Sequence, residues 1–365
     1  MAAPRPSLLD VPASRRRLFA GADQPARISF EFDWILDGRQ EIAIETRDVA
    51  RLPFCVLTRF ARVDAKDLPK VLVVAPLSCH FPILLRDFIS GLLAGHEVFV
   101  ADWLNARHVP ADVGPFSLEG NVDHILTLID HLSPGVSVIG FCQAGVPTLM
   151  ACACAAERGI APRRIALVAA PIDVGANPTR VSKLIVGRSL DWYETQTIIT
   201  LPEGEAGQGR RVYPASLQWL GLWSYLSRHV SEGRELLRKL VADDGLDPVR
   251  FPFLDLYSAL MDIPAEVFLD VMRFVYHERS LLRGTFPFQG GTVSLAAIAA
   301  PLMTLEGAED DIAAPGQTRA AHALCPSVAD HMRVERVVPH SGHFSLFHGE
   351  ACRRIVLPAV QEFLV

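Results

Sequence analysis

Continuous apolar runs separated by amphipathic segments most restrict how this chain can fold, and they begin at Lys70. Val71-Leu72-Val73-Val74-Ala75 offers no polar residue to water on either side, so a strand there must be covered on both faces. Strands are expected at 71–75, 97–101, 136–141, 164–169, 301–305 and 332–338, with helices between them at about 81–94, 120–132, 143–158, 316–324 and 350–363. That rhythm predicts an α/β class: a mostly parallel, doubly wound sheet with right-handed crossovers and ligands met at the carboxyl ends of the strands.

Two segments depart from the rhythm. Before it, Ile28, Phe30, Phe32 and Trp34 alternate with polar residues, Asp37-Gly38 supplies a turn, and Ile42 and Ile44 resume the alternation, which predicts a hairpin. Between about 178 and 293 the periodicity is lost and aromatic residues accumulate, among them Trp192, Tyr193, Trp219, Trp223, Tyr225, Phe251, Phe253, Tyr257, Phe268, Phe274 and Tyr276. A block of that size after the fourth parallel strand reads as a mainly helical cap over the strand ends, with part of its aromatic content serving its own core. The expected organisation is an extension with the hairpin (1–50), a first core part (51–178), the cap (179–295) and a second core part (296–365).

The 365 residues are half hydrophobic, enough for a large core, and the net charge of −6 with no basic block beyond Arg15-Arg16-Arg17 excludes a nucleic-acid binder. No window reaches the roughly 18 apolar residues of a membrane span, and the first residues lack the apolar stretch of an export signal, so an unexported, cytoplasmic chain is expected. Seven cysteines (Cys55, Cys79, Cys142, Cys152, Cys154, Cys325, Cys352) are an odd number scattered through apolar segments, unlike a disulfide framework. Cys152-Ala153-Cys154 lacks zinc-site spacing and reads as buried helix. No metal and no organic cofactor is implied.

Chemistry is concentrated after three of the expected strands. Gly140-Phe141-Cys142-Gln143-Ala144 puts a cysteine on a sharp strand-to-helix turn, with small residues two before and two after it; Gly145 follows one place later. Alone, Cys142 is either a nucleophile favoured by the helix N-terminus or a small buried residue. The N–H of Gln143 would be one oxyanion donor, and the loop Pro76-Leu77-Ser78-Cys79-His80 would supply the second from Leu77 or Ser78. His80 either orients that loop or makes a structural hydrogen bond.

After the strand at 301–305 comes Glu309-Asp310-Asp311-Ile312, where Asp310 fits the acid position best and Asp311 either caps the helix expected from Gly316 or shares the site. After the last strand, Pro339-His340-Ser341-Gly342-His343 offers His343 as base, with His340 as the neighbour that could be mistaken for it. The chain order nucleophile, acid, base is that of the α/β-hydrolase fold. Cys79, Cys325 and Cys352 have no base in evident reach and read as structural.

With their surroundings, these residues resemble the intracellular polyhydroxybutyrate depolymerases. The resemblance runs over roughly residues 50–365 through Leu52-Pro53-Phe54-Cys55-Val56-Leu57, Ala75-Pro76-Leu77-Ser78-Cys79-His80-Phe81, Ala101-Asp102-Trp103-Leu104-Asn105-Ala106-Arg107, Gly209-Arg210-Arg211-Val212-Tyr213-Pro214, Met261-Asp262-Ile263-Pro264 and Glu309-Asp310-Asp311-Ile312. The chain departs from that family at Cys79, where glycine is usual, and at Ala144, where proline is usual. The resemblance implies a triad of Cys142, Asp310 and His343 that hydrolyses esters between 3-hydroxy acids in polyhydroxybutyrate or polyhydroxyalkanoate, as polymer or oligomer at the surface of cytoplasmic storage granules. The alternatives are a thioesterase or acyltransferase with coenzyme A as acyl acceptor, since polyester synthases also carry Gly-x-Cys in this turn, and a catalytically silent granule-surface protein.

Overall fold

The computed structural model describes residues 27, 30, 33–38, 40–77, 82–221, 224 and 260–365. The apolar runs form strands because both faces of each are covered: Lys70–Val74 (β4), Ser137–Phe141 (β6), Ile165–Val168 (β7) and Leu302–Gly307 (β8) are buried almost end to end. With Trp34–Asp37 (β1), Gln40–Leu52 (β2), Cys55–Arg62 (β3), Glu97–Trp103 (β5) and Arg333–Val338 (β9), they make a nine-stranded sheet among the described residues, in the order β1-β2-β3-β5-β4-β6-β7-β8-β9. The strands from β5 to β9 in that order are parallel, while β3 runs antiparallel to both its neighbours.

Of the expected hairpin, Ile28 and Phe32 lie outside the described residues, and the part from Trp34 on is present. Its two arms pair from Trp34 with Ala43 to Asp37 with Gln40, and Gly38 takes a φ of 64° in the turn. Its second arm continues as β2 to Leu52, past residue 50, and is continuous with the sheet through β3. Strand β3 was not expected. Arg59 and Arg62 interrupt its apolar pattern; Arg59 is met across strands by Glu45 and Glu97, and Arg62 by Asp37 across the sheet and by Asp64 two residues on.

Helix Arg86–Leu92 (α1) lies with the helical run 349–364 (α8), where Gln361 Nε2 donates to the Gly91 carbonyl at 2.9 Å and Asp87 pairs with Arg353 at 2.6 Å. Helices Leu118–Leu132 (α2) and Gly145–Glu157 (α3) pack together. Ser117 caps α2 by accepting from the Gly120 N–H. Helix α3 is buried from Gly145 to Ala155, which places Cys152 and Cys154 inside a helix as expected.

The helix expected over 316–324 is helical only at Ala321–Leu324 (α7 below). The N–H groups of Gly316, Thr318 and Arg319 turn instead to the carboxylate of Glu306 on β8.

The segment expected to form the cap holds helices Arg180–Val186 (α4), Leu190–Thr197 (α5) and Ala265–Asp270 (α6), the last continuing as a wider turn over Val271–His277. It also contains a small antiparallel sheet of Ile199–Thr200, Arg211–Tyr213 and Ile263–Pro264. Trp223, Tyr225, Phe251, Phe253 and Tyr257 lie outside the described residues. A buried polar network ties cap to core: Arg107 pairs with Asp262, Asp262 Oδ1 accepts from the Ala215 N–H, and Asn105 Oδ1 accepts from the N–H groups of Arg107 and Asp262. Asn105 and Asp262 are both almost wholly buried. Breaking such a pair leaves an uncompensated charge at a cost of about 3–5 kcal/mol, which holds Asp262 and Ala215 against Asn105 and Arg107.

Candidate active site

Strand order reverses around β4, whose neighbours are β5 on one side and β6 on the other, so a crevice opens beyond the carboxyl ends of β4 and β6. Leu77 follows the first of these strands and Cys142 the second. At Cys142 the backbone takes a φ of 49°, a left-handed conformation that costs a non-glycine residue about 1–3 kcal/mol. The strain lifts the sulfur out of the strand-helix junction, and Cys142 is half-buried.

Space decides which neighbours must be small. A Cβ on Gly140 would meet Thr148 Oγ1 at 2.8 Å and Cβ at 2.9 Å, so this glycine lets α3 close on β6. On the other side of Cys142, the sequence reading put the small-residue position at Ala144. The structure moves it to Gly145, where a Cβ would collide with that of Ala170 just past β7. A tight turn over Cys142–Ala144 precedes α3, which delays the close approach by one residue. Gly145→Ala is therefore expected to destabilise the protein by about 1–3 kcal/mol and to slow alkylation of Cys142 by iodoacetamide, read by thermal denaturation and mass spectrometry.

Three side chains meet here. His343 Nε2 lies 3.2 Å from Cys142 Sγ, and His343 Nδ1 lies 2.7 Å from Asp310 Oδ2. Asp310 Oδ1 accepts from the N–H groups of Ile312 and Ala313, both at 2.8 Å, so both carboxylate oxygens are engaged. Asp310 and His343 are buried. Phe344 and Phe347 meet the imidazole edge to face, with ring centroids 5.5 and 4.9 Å away, and fix its plane.

The acid and base loops are also joined through their backbones. Ala308 N–H donates to the Val338 carbonyl and Glu309 N–H to that of Ser341. Gly307 makes this approach possible, since a Cβ there would collide with the Ser341 carbonyl oxygen.

Electrostatics favour a charged His343. Burial works against the imidazolium, yet the Asp310 carboxylate and then the Cys142 sulfur hold His343 well above the usual histidine range. The other described cysteines differ from Cys142: Cys55, Cys152, Cys154, Cys325 and Cys352 are buried. Burial raises the Cys55, Cys152 and Cys154 thiols and pushes Cys325 up to about 12. Among the described residues, Cys142 is the cysteine that combines partial exposure with a histidine in reach.

The remaining sequence candidates fall as follows. Gln143 is buried in the first turn after the strand, where helix geometry leaves its N–H without an intrahelical acceptor. Leu77 is buried past the end of β4, and the carbonyl of Ala75, just after the strand, accepts from Trp103 Nε1 at 2.8 Å. Ser78, Cys79 and His80 lie outside the described residues. Asp311 does not cap a helix at 316, because Glu306 takes those N–H groups. His340 is on the surface, 3.4 Å from Glu309. Sequence reasoning missed Glu306, although a carboxylate inside an apolar strand was a visible signal.

The sheet order, the strained turn after β6 and the placement of Asp310 and His343 after β8 and β9 are those of an α/β-hydrolase fold. The chain matches the family described as "PHB de-polymerase C-terminus" over residues 169–365, more than half its length, and it belongs to that family. Asp310 and His343 lie within the matched segment; Cys142 precedes it. Fold and family together support an ester hydrolase.

Among solved structures the chain is similar to a hypothetical protein from Pseudomonas aeruginosa (12% identity, 94% of this chain and 99% of that one, TM-score 0.50). It is also similar to an alpha/beta hydrolase fold protein from Nakamurella multipartita (16%, 88% and 99%, TM-score 0.45) and to a Paleococcus ferrophilus monoacylglycerol lipase (16%, 85% and 98%, TM-score 0.47). No curated protein matches the chain. Among the described residues no helix is long and apolar enough to cross a membrane.

Proposed function

We propose that this protein hydrolyses the ester bonds of poly(3-hydroxybutyrate) or a related polyhydroxyalkanoate through an acyl-cysteine intermediate, acting in the cytoplasm at the surface of storage granules. The observation that carries the reading is the contact of His343 Nε2 with Cys142 Sγ at 3.2 Å, backed by Asp310 at 2.7 Å, in a chain of this family.

His343 takes the thiol proton, and the thiolate attacks the ester carbonyl. The N–H of Gln143 and one from Leu77 or Ser78 hold the oxyanion. The tetrahedral intermediate collapses as His343 returns the proton to the departing alkoxide, leaving a thioester on Cys142. His343 next draws a proton from water, the hydroxide attacks the thioester, and the carboxylic acid leaves as the thiolate is restored. Asp310, bonded to Nδ1, holds the imidazole in the tautomer that presents Nε2 to sulfur. Tyr213 stacks on Phe268 at 4.0 Å and Tyr193 meets the same ring edge-on, so these cap aromatics serve its packing, whereas Trp219 is exposed.

Native granules incubated with the purified protein are expected to release 3-hydroxybutyrate or its short oligomers at the same rate with and without coenzyme A. Acyl-CoA in place of free acid would make the protein a transferase, and no product from granules or soluble oligomers would leave a silent granule protein.

A further inference from the structure

Glu306 is the last acidic residue a strand such as β8 should carry, because its side chain is almost wholly buried and its neighbours Leu305 and Gly307 are buried too. Its hydrogen-bond partners are backbone donors from one loop. Oε1 accepts from Gly316 at 2.9 Å, Thr318 at 2.8 Å and Arg319 at 2.9 Å, while Oε2 accepts from Gly316 at 2.8 Å. Successive N–H groups turned to one point make a concavity that holds an anion, and Gly316 reaches the necessary conformation with a φ of 100°. The chain supplies that anion itself.

The gathered loop touches each part of the site. At its start, Asp310 bonds His343 and receives the N–H groups of Ile312 and Ala313. At its end, the Thr318 hydroxyl accepts from the Ala170 N–H at 2.9 Å and donates to the Ala170 carbonyl at 3.0 Å. Ala170 is the residue against which Gly145 closes beside Cys142. The cap base is joined as well, since Asp173 N–H donates to the Gln317 carbonyl and Gln317 Nε2 donates to the carbonyl of Asn177.

We infer that Glu306 is a positioning residue: its carboxylate, by gathering the backbone of 316–319, sets the Asp310–His343 pair and the Cys142 turn at their working separation. The inference rests on the reading of Cys142, His343 and Asp310 as the working triad. Glu306→Gln keeps the shape, but with its oxygen at the Oε1 place its NH₂ must face the Gly316 N–H that Oε2 accepts, so the loop shifts there. Displacing a reacting group by about 1 Å costs on the order of 100-fold in rate.

The test compares Glu306→Gln with wild type in three measurements: kcat and KM on a soluble 3-hydroxybutyrate trimer, the rate of Cys142 alkylation by iodoacetamide, and the low-field proton resonance of the His343–Asp310 bond. Expected are a kcat lower by about 10- to 100-fold, KM within about twofold, slowed alkylation and a shifted or broadened resonance. A folded variant with wild-type kcat and resonance would overturn the inference, as would a lower melting temperature with unchanged turnover per folded molecule.

Should Glu306→Gln fail to fold, Thr318→Val decides, because it spares the carboxylate and its three backbone donors. It should lower kcat in the same sense, and Thr318→Ser, which keeps the hydroxyl, should recover most of the loss; wild-type kcat in Thr318→Val would then overturn the proposal. Alkylation and the proton resonance are read without substrate. A wild-type enzyme that cleaves no polyester therefore overturns the function proposed above, while those two readouts still decide the role of Glu306.

Discussion

Cys142→Ala is expected to lower ester cleavage by about 10⁵- to 10⁶-fold, the loss seen when a triad nucleophile is removed, and to leave the fold and granule association intact. The size of the effect follows from the absence of a substitute: the other described cysteines are buried. Brief exposure of wild type to a 3-hydroxybutyrate oligomer should place an acyl mass on Cys142, and the alanine variant should carry none. Turnover that survives in Cys142→Ala would refute the mechanism.

The same position separates chemistry from strain. Alanine inherits the φ of 49°, whereas glycine adopts it freely. Relief of about 1–3 kcal/mol is offset by the roughly 0.4–1 kcal/mol that glycine adds to unfolded-chain entropy. Cys142→Gly should thus be inactive yet more stable than Cys142→Ala by about 1 kcal/mol, read as a higher melting temperature.

What the sequence revealed divides along physical lines. Strands β4, β6, β7 and β8 were legible because burial on both faces removes polar residues from a continuous run, and the acid and base candidates were legible because each follows such a run. Strand β3 was hidden, since Arg59 and Arg62 break the run and their pairing with Glu45, Glu97 and Asp37 exists only once strands pair. Gly145 was legible as a glycine but not as the required one, because Ala170, which demands it, comes from another strand's end. Glu306 erased the start of the helix expected at 316–324 by drawing its N–H groups aside. Local pattern reports periodicity and chain order; contacts between distant segments set the spacing of the site.

Asp310→Asn is expected to lower kcat by about 10⁴-fold at neutral pH, and Asp311→Asn by less than about threefold. Asp310 Oδ1 already accepts two backbone N–H groups, so the asparagine oxygen will keep those bonds and turn its NH₂ toward His343 Nδ1. The imidazole must then accept at Nδ1 and carry its proton on Nε2, which leaves no lone pair to take the proton of Cys142. A large loss in Asp311→Asn with little in Asp310→Asn would reverse the assignment of the acid.

The same substitution has a pH signature in stability. His343 is held above its ordinary value of about 6.5, so its pairing stabilises the fold fully below that pH and progressively less as pH rises through the raised folded value. Removing the carboxylate leaves burial as the leading influence on His343 and brings its folded value down. The melting-temperature gap between wild type and Asp310→Asn should therefore be wide below about pH 6.5 and narrow as the pH rises through the raised value of His343. A gap that widens with pH would mean that Asp310 stabilises a neutral His343, and proton transfer from Cys142 would then accompany the attack instead of preceding it.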